Sequence, residues 1–321
     1  MYQSVVATAV SASNNPRGWT PAVSSHVARL LERAAQIRRP ELFGETAAGV
    51  VYRSPSYHGV RATAVVTSGL GADQVDDLLQ YRLAQYVRAG FADVDMLCRG
   101  NLDREPVESV GPNDIHLLAG DSSTGEILCY CVLHALAAPA GTILGSADRP
   151  VFPVEAAFGW PTFQSLPLLT GLPVARVREA SRFATNQLSH HGDVRRRAPF
   201  AVGVALCRVL CDCLDDPPIA VIGEVEEHGA KRLLDFFGAS VLLLHDAIAH
   251  PDGGGWLGPA QRKGTFFPFV CLISDLARQR SRWTAIEAAL AAPGGLGPRL
   301  QALHTDDGPR SSLAASVGPW R

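Results

Sequence analysis

The sequence predicts an α/β domain built on a mixed sheet. Runs of β-branched and apolar residues are interspersed with runs of helical period through the middle of the chain. They follow the order strand, helix, several strands, helix, strand, helix, strands, which is no strict βαβ repeat. Neither GxGxxG nor GxxxxGK[ST] occurs, which weighs against a dinucleotide or P-loop fold.

Residues 1 to about 20 are small and polar and are expected to be poorly ordered. PAVSSHVARLLERAAQIR, residues 21–38, carries Val27, Leu30, Leu31 and Ala34 at helical spacing, with Ser24 or Ser25 as a cap. VRATAVVTS, Val60 to Ser68, reads as the first strand. In DQVDDLLQYRLAQYVRAG the residues Val75, Leu78, Leu79, Leu83, Tyr86 and Val87 form one apolar stripe, and Gly90 ends the helix. DIHLLAG and ILCYCVLHAL, joined by DSSTGE, read as a hairpin. Residues 137–173 are rich in proline and glycine and form a long connection with short elements, of the kind that is functional or disordered. Val174 to Thr185 is a strand, and FAVGVALCRVLCDCL a helix with Pro199 near its start. Strand PPIAVIGEV, helix EEHGAKRLLDFFG with Gly238 as C-cap, strand ASVLLLHDAI and strand FFPFV complete the sheet. Residues 1–60 then form an extension with one helix, 61–285 the domain, and 286–321 an Ala/Gly/Pro-rich tail with a short helix at best.

With 47% hydrophobic residues the chain can bury a sizeable core, and a net charge of −2 gives no footprint for nucleic acid. No apolar run of about 18 residues exists to span a membrane. The first residues lack the basic and apolar regions of a secretory signal, so a cytoplasmic location is expected. The seven cysteines form no pair of CxxC motifs near histidines, so they read as free thiols and no metal is expected. The twin His190–His191 reads as polar surface.

One stretch stands apart. In VREASRFATNQ, Val177 to Gln187, three charges (Arg178, Glu179 and Arg182) sit among strand-forming residues. Either they make a structural ion pair at a strand end, or they point into a cleft. The block E-A-S-R-F-A resembles the E-x-S-R-F-A block of acyl-homoserine-lactone (autoinducer) synthases, and the long-chain N-acyl amino acid synthases look similar. Both are branches of the GNAT N-acyltransferase superfamily. The resemblance runs from about residue 61 to 280. Arg82 and Tyr86 stand four apart like the family's R-x-x-x-F, Asp114 precedes the hairpin as an aspartate does there, and GAKRLLDFFG replaces E-R-x-L-x-R-x-G. Three positions depart: Val132 stands for a family arginine, Gly111 for the first acid of D-x-x-D, and Phe91 or Ala92 for a tryptophan.

The resemblance implies a GNAT-like, mixed, largely antiparallel sheet flanked by helices, with a bulged and splayed central strand. It implies an enzyme that moves a fatty acyl group from an acyl-carrier-protein or acyl-CoA thioester to the amine of an amino acid or related small molecule, with the acyl carrier protein as partner and no cofactor. The departures put S-adenosylmethionine as acceptor in doubt. A lactone synthase that uses it, or a non-catalytic acyl- or carrier-binding protein, are the rivals. Glu179 is the expected base and Arg182 its neighbour, orienting a substrate carboxylate or holding Glu179 or Asp114. Residues i and i+3 of a regular strand face opposite sides, so both reach one pocket only if a bulge falls between Glu179 and Phe183. Arg82, Tyr86, Asp114, Ser181, Phe183 and Trp160 are expected to bind substrate. Solvation of Arg82 and core packing of Tyr86 are the alternatives, and Trp160 with Phe163 would line an acyl tunnel. Arg195, Arg196 and Arg197, just before a helix N-terminus, would meet the pantetheine phosphate or an acidic carrier protein. A solvated charge run is the other reading of that triplet.

Overall fold

Alternation along each strand sorts side chains onto two faces, and a helical layer covers each. The computed structural model describes residues 20–45, 47–186, 192–227, 230–250 and 266–305. His190, His191 and the first 19 residues lie outside them. The sheet has eight strands in the order β1-β2-β3-β4-β5-β6-β8-β7. These are β1 (Val50–Arg53), β2 (Val60–Val66), β3 (Ile115–Asp121), β4 (Ile127–His134), β5 (Val177–Thr185), β6 (Ala220–Glu226), β7 (Val241–Leu243) and β8 (Phe266–Leu272). Every neighbouring pair is antiparallel except β5 with β6. The fold class is therefore mixed α/β with a largely antiparallel sheet, as the sequence predicts.

Before residue 60 the sequence suggests one helix. The chain forms α1 (Pro21–Gln36), a short α2 (Pro40–Phe43) and the edge strand β1. At four residues β1 is too short to show a period. Helix α1 starts from Thr20, whose side chain accepts from the Val23 N–H at 3.4 Å, and not from a serine, because Pro21 already occupies the first helical position.

Helix α3 (Ala72–Ala89) buries its stripe and ends at Gly90, whose φ of 76° places it in the left-handed region that glycine tolerates. With α1 and α4 (Val94–Arg99) it covers Val65, Leu118, Tyr130 and Val132 on one face. The same face is continued over Val177 and Ile222 by α5 (Pro153–Phe158) and α6 (Pro167–Thr170), from the long connection. The opposite face carries Ala62, Ala64, Leu117, Cys129 and Cys131 under α7 (Gly192–Arg208) and α8 (Ala230–Phe236).

Helix α7 is already helical at Gly192, so Pro199 lies inside it. Pro199 is the eighth residue of the helix, where its missing N–H removes one intrahelical bond, to the Arg195 carbonyl. Arg195, Arg196 and Arg197 consequently belong to the helix and do not precede it. Asp212 is a hub: it pairs with Arg208 at 3.1 Å and Arg280 at 2.5 Å, which offsets its unfavourable place near a helix C-terminus.

The C-terminal part is not a loose tail. After α9 (Ile273–Arg278), helices α10 (Arg280–Ala291) and α11 (Leu296–Thr305) add Trp283, Ile286, Leu290, Leu296 and Leu300 to the core. Ala, Gly and Pro content concealed these few apolar contacts. Trp283 is fully buried between the guanidinium groups of Arg208 and Arg280, each 5.2 Å from its ring. Trp283→Ala is expected to lower unfolding free energy by about 3–5 kcal/mol, read from the midpoint of urea denaturation at unchanged slope.

Candidate active site

The charges of β5 meet the structure at a break in the sheet. Tyr130 pairs with Ala184 but Val132 with Ser181, so β5 carries one extra residue there. Arg182 sits in the bulge with φ of 58°, unusual for a non-glycine residue. The bulge predicted between Glu179 and Phe183 is present.

Just before it, β5 and β6 part. Their parallel pairing ends at Ala180 and Gly223. A Cβ on Gly223 would lie 2.2 Å from the Ala180 carbonyl oxygen, so only glycine permits this last close approach. Beyond it β6 continues on β8 alone, and β5 on β4 alone. An apolar pocket of ≈ 90 Å³ opens beneath the splay, between the sheet and helices α7 and α8. Ser181, Phe183 and Glu224 line its sheet side, and Val202, Leu206 and Phe237 its depth.

On the face of α3, a polar layer lies between the two apolar clusters. Glu105 is buried and accepts from Arg82 twice, Nε at 3.0 Å and Nη2 at 2.6 Å. It accepts again from Arg182 Nε at 3.3 Å. Arg182 Nη1 is 3.8 Å from Glu224. Arg82 also donates to the Tyr130 hydroxyl at 3.4 Å, which meets His116 Nδ1 at 2.7 Å, and His116 Nε2 meets Thr67 at 3.0 Å. Burial pushes His116 down to about 3, so its ring is neutral.

Arg82 and Arg182 thus come together, but through Glu105. Arg82 is not a solvated helix residue, and Arg182 turns to Glu105 and Glu224. Glu179 is 1% exposed and accepts a hydrogen bond from the Val154 N–H at 3.0 Å. Burial, with the Glu224 charge adding to it, drives its carboxyl well above the ordinary range, while the Val154 N–H and Arg182 oppose this. Ser181 lines the pocket, and its buried Oγ has no hydrogen-bond partner among the described residues.

The other expected substrate residues lie further out. Tyr86 is half-buried beside Phe91 (centroids 6.2 Å) and lines, with Phe183, a shallow recess of ≈ 110 Å³. Asp114 is a structural anchor at the strand ends. It accepts from Gly111 N–H at 2.8 Å and Ala135 N–H at 2.9 Å, and bonds His134 Nδ1 at 2.7 Å. Burial works to raise its carboxyl, but those bonds hold it below the usual range. Trp160 does not line the apolar pocket: it sits on a single turn, Trp160–Phe163, and Phe163 packs inside the cluster under the long connection. Arg197 is buried and donates to the Leu290 and Gly294 carbonyls, so it ties α7 to α10 and does not face a phosphate. Arg195 and Arg196 are exposed, the latter 3.9 Å from Asp193.

Sequence reasoning missed Glu105, Glu224 and His134. Glu105 lies in an aperiodic loop and Glu224 in an apolar strand, and each acquires meaning only through partners far along the chain. Among the described residues no group of three His, Cys, Asp or Glu could hold a metal ion. None of the described helices is long and apolar enough to cross a membrane.

The fold and site define a mixed-sheet α/β protein with a splayed, bulged strand pair, an apolar pocket beneath it and a buried carboxylate–guanidinium layer at its mouth. No protein-family model and no curated protein matches the chain. Among solved structures it is similar to several, three of which follow. The AHL synthase LasI is 9% identical, with 67% of this chain and 90% of that one covered and a TM-score of 0.39. BjaI, a CoA-dependent acyl-homoserine lactone synthase, is 16% identical over 69% and 88%, at 0.42. The GNAT domain of S. lividans PAT is 12% identical over 69% and 96%, at 0.35.

Glu105→Ala leaves the buried Arg82 and the half-buried Arg182 without their shared carboxylate, and is expected to cost about 3–5 kcal/mol in denaturant unfolding. Glu179 sets a pH dependence. Its folded carboxyl titrates above the unfolded one, so above the unfolded value of about 4.3 the native state binds more protons and stability falls as pH rises. The decline runs upward from there to the raised folded value. Glu179→Gln is expected to remove it, seen as a flatter plot of unfolding free energy against pH. An unchanged slope would place the titrating group elsewhere.

Proposed function

We propose that the chain is an N-acyltransferase that moves a fatty acyl group from a thioester, on an acyl carrier protein or coenzyme A, to the amine of an amino acid or related small molecule. The observation that carries this reading is the apolar pocket beneath the β5–β6 splay, with Ser181, Glu224 and the Arg182 bulge at its mouth. A parted strand pair leaves backbone N–H and C=O groups free to bond an extended pantetheine arm as a strand would. The acyl chain then lies in the pocket, and the thioester carbonyl sits at the mouth.

There the amine nitrogen attacks the carbonyl carbon, the C–N bond forms and the C–S bond breaks. The proton lost by nitrogen passes to Glu179, directly or through one water, and the released thiolate takes up a proton. A carboxyl whose burial has raised its pKa is a better matched base than an exposed one. Ser181 Oγ, buried and without another partner, is placed to donate to the developing oxyanion. Arg182 and Glu224 offer a cation and an anion to the two charges of an amino acid, and direct attack needs no metal or redox cofactor. Arg195 and Arg196, at the start of α7, would meet the carrier protein or the pantetheine phosphate.

The test is mass spectrometry of organic extracts from a host expressing the protein, and of the purified protein given acyl thioesters and amino acids. A new N-acyl species is expected, reduced about 10²–10⁴-fold in Glu179→Gln. Val202→Phe, which fills the pocket's depth, is expected to shift the product to shorter chains. An undiminished product in Glu179→Gln removes the base from its role, and release of methylthioadenosine would indicate a lactone synthase. Thioester binding without product under any amine would leave a binding protein.

A further inference from the structure

Arg178 precedes Glu179 in β5 and so points to the opposite face. It lines a second cleft, of ≈ 290 Å³, at the other end of the strand from the splay. Its Nε and Nη1 are buried and have no hydrogen-bond partner among the described residues. Burial lowers its pKa, with Asp114 and Asp216 the acids whose charges oppose this. Neither acid is available to it. Asp114 is committed to His134, Gly111 and Ala135, and Asp216 pairs with Arg176 at 2.9 Å. A half-buried guanidinium facing a cleft with two desolvated nitrogens lacks the anion that such a group normally holds.

The rest of the lining says what kind of anion. Val66, Ile115, Leu136, Val174 and Leu214 present apolar surface around the guanidinium. Asn113 adds a neutral polar side chain, and among the described residues no second cation lines the cleft, as a phosphate dianion would favour. A planar carboxylate matches the fork of a single arginine, and a short hydrocarbon tail matches the walls. We propose that this cleft is a binding site for a small apolar carboxylate, such as a short-chain fatty or branched 2-oxo acid. It is separate from the pocket under the splay and independent of the reaction proposed there.

The experiment titrates butyrate into the full-length protein, following methyl and amide NMR shifts and, in parallel, the thermal midpoint. Saturable shifts centred on Ala135, Val174 and Leu214 are expected, with a rise in thermal midpoint that follows occupancy. Arg178→Gln should weaken binding about tenfold or more, and Arg178→Lys, which keeps the charge but not the fork, should weaken it less. Inorganic phosphate and butanol serve as the other arms, and both should bind more weakly than butyrate. The proposal is overturned if butyrate gives no saturable shifts in the wild-type protein, if its shifts map to the splayed pocket, or if phosphate binds as well. It is equally overturned if the folded Arg178→Gln variant binds butyrate as the wild type does. Because the wild-type titration needs no substitution, a variant that fails to fold does not spoil the test.

Discussion

The Glu105 carboxylate, held between the guanidinium groups of Arg82 and Arg182, is the contact on which the site depends. It joins three parts of the chain that share no local reason to meet: helix α3, the loop after α4, and the bulge of β5. Two buried arginines in a layer of low dielectric would repel each other and remain poorly solvated, so a shared acid is the condition for placing them there at all. Arg182, in turn, has a left-handed backbone that costs conformational energy. The ion pairs with Glu105 and Glu224 reward that conformation and fix the bulge. The bulge then takes β5 away from β6 and opens the pocket. Electrostatics on one face of the sheet thus sets the shape of a cavity on the other.

Much of the scaffold was legible because it is written locally. The stripe of α3 and its Gly90 stop, the hairpin of β3 and β4, and the strands of the core all follow from periods within a short window. The bulge was expected from the resemblance, which implied that Glu179 and Arg182 share a pocket, as two side chains three apart in a regular strand cannot. The four-residue β1 and the helices α10 and α11 were not legible. In the first the window is too short, and in the second Ala- and Gly-rich sequence hides Trp283 and a few leucines that do the packing.

The site was legible only in part, for a reason of the same kind. Glu179, Ser181, Arg182 and Phe183 lie in one run, and they converge on one region. Arg195, Arg196 and Arg197 look alike in sequence, yet helical rotation sends Arg197 into the core, where it caps carbonyls near the end of α10, and leaves the other two exposed. Asp114 shows the opposite error. An acid before a hairpin suggests a ligand contact, but two backbone N–H groups and His134 use its oxygens, and Gly111 serves as one of those donors where an acid was expected.

Charge balance in the polar layer bears on how Glu179 could work. Arg82 and Arg182 are matched by Glu105 and Glu224, so an ionised Glu179 would be a surplus negative charge in a buried layer. Burial is the main reason its pKa is raised, and the Glu224 charge adds to it. An acceptor entering as an ammonium ion changes the sum. Its positive charge would stabilise the ionised carboxylate, drawing the pKa down as an opposite charge nearby does. On the proposed reading the Glu179 proton passes to solvent water before the one on nitrogen arrives. On that reading the base is created by the substrate it serves, and a neutral analogue of the amine would find the acid still protonated. Glu105 accepts directly from two guanidinium groups, whereas Glu179 accepts from the Val154 N–H and feels the Arg182 charge, so an arriving cation can still act on it.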